Sequence, residues 1–200
     1  MTTPEFDPAR IFQVLARHDV DYVVIGAMAA MLQGAGPTMT LDVDVAAATA
    51  EENRVRLASA LKEMEARLRV PAPEDPVEIL SFGGASLRLA EQEAWNRPSG
   101  DKILLDARML GSMSVMTFIT RFGPFDVLFA PDGAPNYERL RERAVVVARF
   151  GVAIRAADVE DLIAIKRATG REKDAAHLTT LIQFLKDQSP LRKKQGGRDD

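Results

Sequence analysis

Two hundred residues, 46% hydrophobic and 28% charged, suit one soluble globular unit able to bury a core without staples. The chain has no cysteine and only two histidines, His18 and His177, which excludes disulfides and thiolate metal sites and argues against a zinc hydrolase. A formal charge of −3 argues against a protein that coats nucleic acid non-specifically, while leaving a local basic cleft open.

The opening Met1-Thr-Thr-Pro-Glu-Phe-Asp7 has neither a basic n-region nor an apolar h-region, and no stretch approaches eighteen uninterrupted apolar residues. Both features predict a cytoplasmic protein with no membrane partner. Asp7-Pro8 reads as an N-cap with proline at the first helical position, and Ile11, Phe12, Leu15 and Ala16 carry a short amphipathic helix over 8–18. His18 caps its C-terminal end. Tyr22 to Ile25 is a β-rich run closed by Gly26, hence a buried strand. A helix follows from Ala27 to Gln33, until Gly34, Gly36 and Pro37 break it.

Leu41 to Val45 predicts a second strand, and Thr49 with Glu52 a capping box ahead of a helix to about Leu68. Pro71, Pro73 and Pro76 mark a loop. A strand is expected at 77–82, then an insert through 112 that holds Trp95. Ser114–Thr120 and Phe125–Phe129, joined by Arg121-Phe-Gly-Pro124, predict a β-hairpin. Beyond it lie a helix over 137–144, paired strands at 145–147 and 152–154, and a helix from Asp158 to about Gly170. A last helix covers about 172–187. The expected class is therefore α/β, a small mixed sheet flanked by helices with a two-helix unit at 158–187. Residues 1–188 form one domain on this reading, and 189–200 a disordered polar tail.

In Leu41-Asp42-Val43-Asp44-Val45 the side chains alternate, so Asp42 and Asp44 share one face of a strand. Aspartate is disfavoured in strands, so the pair needs a reason. Carboxylates at i and i+2 sit roughly 6–7 Å apart and repel by on the order of 2–3 kcal/mol at an effective dielectric near 20. A divalent cation between them turns that penalty into a binding site, and magnesium favours one or two carboxylates plus phosphate oxygens and water. The competing reading is a solvated outer face where the repulsion is screened. Asp126, inside the apolar run Phe125-Asp-Val-Leu-Phe129, supplies a third carboxylate for a two-metal site. Its alternative is a strand aspartate answering a nearby backbone or basic group.

Val159, Leu162, Ile163 and Lys166 fall on one helical face, so Lys166 points inward and needs a carboxylate or phosphate. Asp174 falls on the apolar side of the last helix with Leu178, Leu181 and Leu185. An ion pair joining the two helices is one reading of Lys166 and Asp174. His177 reads as a surface histidine, and Arg192-Lys-Lys194 as a solubilising terminus.

Four segments in order then give a resemblance. Val23-Val-Ile-Gly26-Ala27, Thr40-Leu-Asp42-Val-Asp44-Val45, Phe122-Gly-Pro-Phe-Asp126-Val-Leu128, and Val159-Glu-Asp-Leu-Ile-Ala-Ile-Lys166 with Gly170-Arg171-Glu-Lys173-Asp174 together resemble the polymerase-β nucleotidyltransferase superfamily, in its toxin-associated AbiEii/MenT branch. The resemblance implies Mg2+, most simply two ions, held by Asp42, Asp44 and Asp126. It implies NTP contacts from Gly26, Ala27, Thr40, Lys166 and Arg171, and catalytic support from Lys166 and Asp174. It further implies transfer of an NMP to an acceptor hydroxyl, such as a tRNA 3′ end or other RNA, by a toxin with an antitoxin protein as partner. Ala27 stands where relatives often carry glycine or serine, and Pro37-Thr38-Met39 where they often carry an arginine. These departures favour one alternative, a catalytically degenerate module that binds nucleotide or a partner; a transferase acting on protein hydroxyls is a further alternative.

Overall fold

The computed structural model describes residues 5–36, 39–68, 81–82, 85–86, 106–170 and 174–195. Its elements run α1 (Pro8–Arg17), β1 (Tyr22–Ile25), α2 (Gly26–Leu32), β2 (Val43–Ala47), α3 (Glu51–Glu63), β3 (Arg67–Leu68), β4 (Ser81–Phe82) and β5 (Ala85–Ser86). They continue with α4 (Ala107–Leu110), β6 (Val115–Thr120), β7 (Gly123–Leu128), α5 (Tyr137–Arg143), β8 (Val145–Arg149), β9 (Val152–Ala156), α6 (Val159–Thr169) and α7 (Ala175–Gln195). Seven strands form one sheet in the order β3-β6-β7-β2-β1-β9-β8, and β4 pairs with β5 apart from it. The sheet is mixed: β1–β9 and β2–β7 are parallel and the other pairs antiparallel. The α/β class and the flanking helices are as expected.

All four residues of β1 are buried, which requires cover on both faces of the sheet there. One set of touching helices is α1, α3 and α4; the other is α2, α6 and α7. Among the described residues, Phe12, Phe118 and Phe125 are the largest fully buried side chains. On β6 and β7 burial alternates strictly, with Met116, Phe118, Phe125 and Val127 inward and their neighbours half-buried or exposed. That alternation marks a sheet region with one face packed and the other open.

Local chemistry sets the boundaries. Asp7 caps α1 by accepting from Arg10 N–H at 3.1 Å, with Pro8 in the first turn, and Asp7 N–H donates to Phe122 C=O at 2.9 Å. Glu63 at the end of α3 accepts from both Arg17 and His18, with His18 Nε2 at 2.7 Å. Arg17 first and His18 second hold its carboxyl below the usual carboxylate range. Asn53, 1% exposed, receives Asp21 N–H at 2.7 Å and donates to the carbonyls of Asp21 and Ala48 at 2.9 and 3.0 Å. One buried amide thus fastens α3 to the chain just before β1 and just after β2, with its polar atoms satisfied.

Several boundaries differ from the sequence reading. α3 starts after Ala50 with no side-chain cap, so Thr49 and Glu52 do not form the expected capping box. It also stops at Glu63 rather than near Leu68, because Glu65 takes a left-handed φ of 53° and Arg67–Leu68 leaves to pair with β6. β2 begins at Val43, leaving Leu41 65% exposed rather than on the core face. α7 continues to Gln195, past the expected end near 187 and into the stretch expected to be a disordered tail. Of that tail, residues 196–200 lie outside the described residues, as do the side chains of Arg192, Lys193 and Lys194, the loop prolines, Trp95, and 77–80 of the strand expected at 77–82. No helix among the described residues is long and apolar enough to cross a membrane.

Candidate active site

The central strands bring two of the three aspartates together. Antiparallel register sets Asp44 opposite Ile25, and parallel register sets Asp44 beside Asp126. Register partners on neighbouring strands point to the same face about 5 Å apart. Asp126 is in turn paired with Thr117 of β6. One row therefore crosses four strands at a single level: Ile25, Asp44, Asp126, Thr117. The three polar members are half-buried, reachable by solvent and a ligand.

Gly26 completes the row's inner end. It follows β1 directly, opens α2, and has a φ of +68°, a conformation that side-chain-bearing residues adopt only at a cost. A Cβ built there would stand 2.2 Å from Asp44 Oδ2 and 3.1 Å from its Cγ. Glycine is needed at 26 twice over: once for the left-handed turn into α2, and once so that the Asp44 carboxylate can lie against the backbone. Ala27 follows within the first turn.

Asp42 precedes β2, and its Oδ1 accepts from the Thr40 hydroxyl at 2.7 Å. The expected nucleotide ligand Thr40 is thus engaged with the expected metal ligand Asp42. No group of three His, Cys, Asp or Glu among the described residues stands ready to hold a metal ion; what the geometry presents is a carboxylate pair with Asp42 at its edge. That donor set still fits magnesium, since two half-exposed carboxylates leave the remaining positions to phosphate oxygens and water.

Lys166 and Asp174 meet at the α6–α7 corner, Nζ to Oδ1 2.6 Å, with side chains 12% and 21% exposed. The inward lysine found its carboxylate. Gly170, at φ 59°, ends α6 in the left-handed cap that lets the chain turn there. His177 is not a free surface residue: it is half-buried, and its Nε2 is buried with no hydrogen-bond partner among the described residues. Burial first, then the Lys166 charge, depress its pKa, while Asp174 opposes them. Arg171 and Lys173 lie outside the described residues.

Thr117 is the member of the row that motif reading passed over. Its signal was present in the alternation Val115-Met-Thr-Phe-Ile-Thr120, but only the hairpin register says which threonine stands beside Asp126.

A groove of about 440 Å³ lies elsewhere, among Phe6, Pro8, Arg121, Phe122 and Phe150, and does not include the aspartates.

No family model matches the chain, and no curated protein matches it. Among solved structures the chain is similar to one from Thermotoga maritima described as a "putative nucleotidyltransferase", with a TM-score of 0.48 and 15% identity over 92% of this chain and 97% of that one.

Proposed function

We propose that the chain is a magnesium-dependent nucleotidyltransferase that moves an NMP from an NTP to an acceptor hydroxyl. The observation that carries this reading is the register pair of Asp44 and Asp126 on the two central parallel strands, with Gly26 held against Asp44. Asp44 and Asp126 would hold the metal, with Asp42 joining from just before the start of β2. A bound divalent ion supplies charge neutralisation at the phosphates and lowers the pKa of a nearby hydroxyl. In the transfer, a bond forms between the acceptor oxygen and the α-phosphorus. The α-phosphorus to bridging-oxygen bond breaks, and pyrophosphate leaves with the electron pair. Asp126 takes the acceptor's proton. Lys166, already balanced by Asp174, serves phosphate binding only if it exchanges that partner for the nucleotide, and Arg171 would assist it.

The finer reading is a member of the toxin-associated AbiEii/MenT branch that modifies a tRNA 3′ end and is restrained by an antitoxin. A second reading, a nucleotide- or partner-binding module without transfer activity, is favoured by the Lys166–Asp174 pairing and by the absence of a ready three-ligand group among the described residues.

The test is transfer from each α-labelled NTP to total tRNA with Mg2+, with a lysate run on a protein gel to register protein acceptors. Asp44→Asn and Asp126→Asn should each lower transfer by more than about 100-fold, beyond what loss of an outer-shell partner costs. Label transferred equally by wild type and both variants overturns the Asp44–Asp126 site, and label transferred by none of the three sinks the transferase reading in favour of the binding module.

A further inference from the structure

The geometry points to Thr117 as the residue that positions the acceptor, on the open face of the β6–β7 hairpin. This rests on the transferase reading above and adds a direction to it. The row at one sheet level is Ile25 on β1, followed directly by Gly26, then Asp44 on β2, Asp126 on β7 and Thr117 on β6. Displacement at phosphorus needs the attacking and leaving oxygens roughly in line, on opposite sides of the transferred group.

The two flanks of the carboxylate pair are unlike. On the β1 side, Gly26 holds backbone against the Asp44 carboxylate, and the buried Ile25 ends the row. That flank is closed to an acceptor. The opposite flank carries the hydroxyl of Thr117. Its neighbours on the same strand face are Val115, 46% exposed, and the half-buried Ile119. Pro124 and Leu128 of β7, also half-buried, pair with Ile119 and Val115 respectively. The result is a low apolar floor with one hydroxyl and one carboxylate at its centre.

An acceptor lying on this floor presents its hydroxyl between Thr117 and Asp126, on the far side of the phosphorus from Gly26. Thr117 orients that hydroxyl by hydrogen bonding, and Asp126 receives its proton. The apolar floor supplies non-directional contact to the acceptor's flat groups.

The test compares Thr117→Val, which keeps β-branching and shape, with Thr117→Ser, which keeps the hydroxyl. Total tRNA is the acceptor, and thermal melts check the fold. The Val variant is expected to raise KM for tRNA about tenfold, the loss of one hydrogen bond of roughly 1.4 kcal/mol. KM for NTP should stay unchanged, and Ser should restore most of the effect. An effect on KM for NTP rather than tRNA, no effect of Val at all, or failure of Ser to rescue overturns the assignment while leaving the transferase reading intact. If the wild type labels no tRNA, tRNA transfer itself fails and the acceptor flank falls with it.

Discussion

A left-handed backbone and a short contact coincide at Gly26, and the two costs are separable. Gly34 has nearly the same φ, +72°, with nothing within 4 Å of a Cβ built there. Gly34→Ala should therefore show the backbone penalty alone, about 1–2 kcal/mol. Gly26→Ala adds a clash with Asp44 Oδ2, which only displacement of the carboxylate relieves. Urea unfolding should find Gly26→Ala the more destabilised of the two, and transfer activity should fall with it but not with Gly34→Ala. Equal unfolding midpoints would mean that Asp44 moves aside freely and that its contact with Gly26 is not what positions it. At this scale the sequence marked Gly26 by its place after an apolar run, but the reason differs in kind. Expected as an approach point for phosphate, it is first an approach point for the protein's own carboxylate.

Elements add what single residues do not reveal. The hairpin of β6 and β7, the strand pair of β8 and β9, and α1 with its Asp-Pro start all follow from local pattern, because turn residues and period fix them within the segment. The end of α3 does not, since Glu65 leaves the helical region so that Arg67–Leu68 can pair with β6, a partner some fifty residues away. The α6–α7 corner lies between these cases. The inward stripe predicted a buried partner for Lys166, and Asp174 answers at 2.6 Å, yet nothing in the stripe indicated that His177 would be drawn in beside them. Its pKa is depressed from 6.5 by burial and by Lys166, so the unfolded chain binds the proton more readily than the folded one. The stability this neutral imidazole contributes is complete above about pH 6.5 and is lost as pH falls through the lower folded value. His177→Gln should flatten that part of the pH dependence: between pH 7.5 and 5.5 the urea midpoint of wild type should fall further than that of the variant. Parallel curves would show that His177 stays exposed to protonation in the folded state.

The whole molecule joins the site to global stability, because β2 is the middle strand of seven and β1 and β7 flank it. Asp44 and Asp126 sit on strands that separate only when the sheet itself comes apart, whereas a site on β3 or β8 would report on fraying edges. Register carries this arrangement, and register was the part least available to motif reading. Asp-x-Asp and the later aspartate are visible as residues, but their meeting depends on β2 and β7 lying side by side in parallel, across a connection of more than seventy residues. Linkage makes the consequence measurable without any acceptor or turnover. A ligand that binds only the folded state at a hundred times its Kd stabilises by about 2.7 kcal/mol, which in a chain of this length shifts the melting temperature by several degrees. Mg2+ together with NTP should therefore raise the single main transition of wild type. Asp44→Asn and Asp126→Asn should melt as folded proteins with that shift greatly reduced, while Thr117→Val retains it, since Thr117 lies on the acceptor flank. An undiminished shift in both aspartate variants would place metal and nucleotide somewhere other than the central strands. A shift abolished by Thr117→Val would put the nucleotide, rather than the acceptor, over β6.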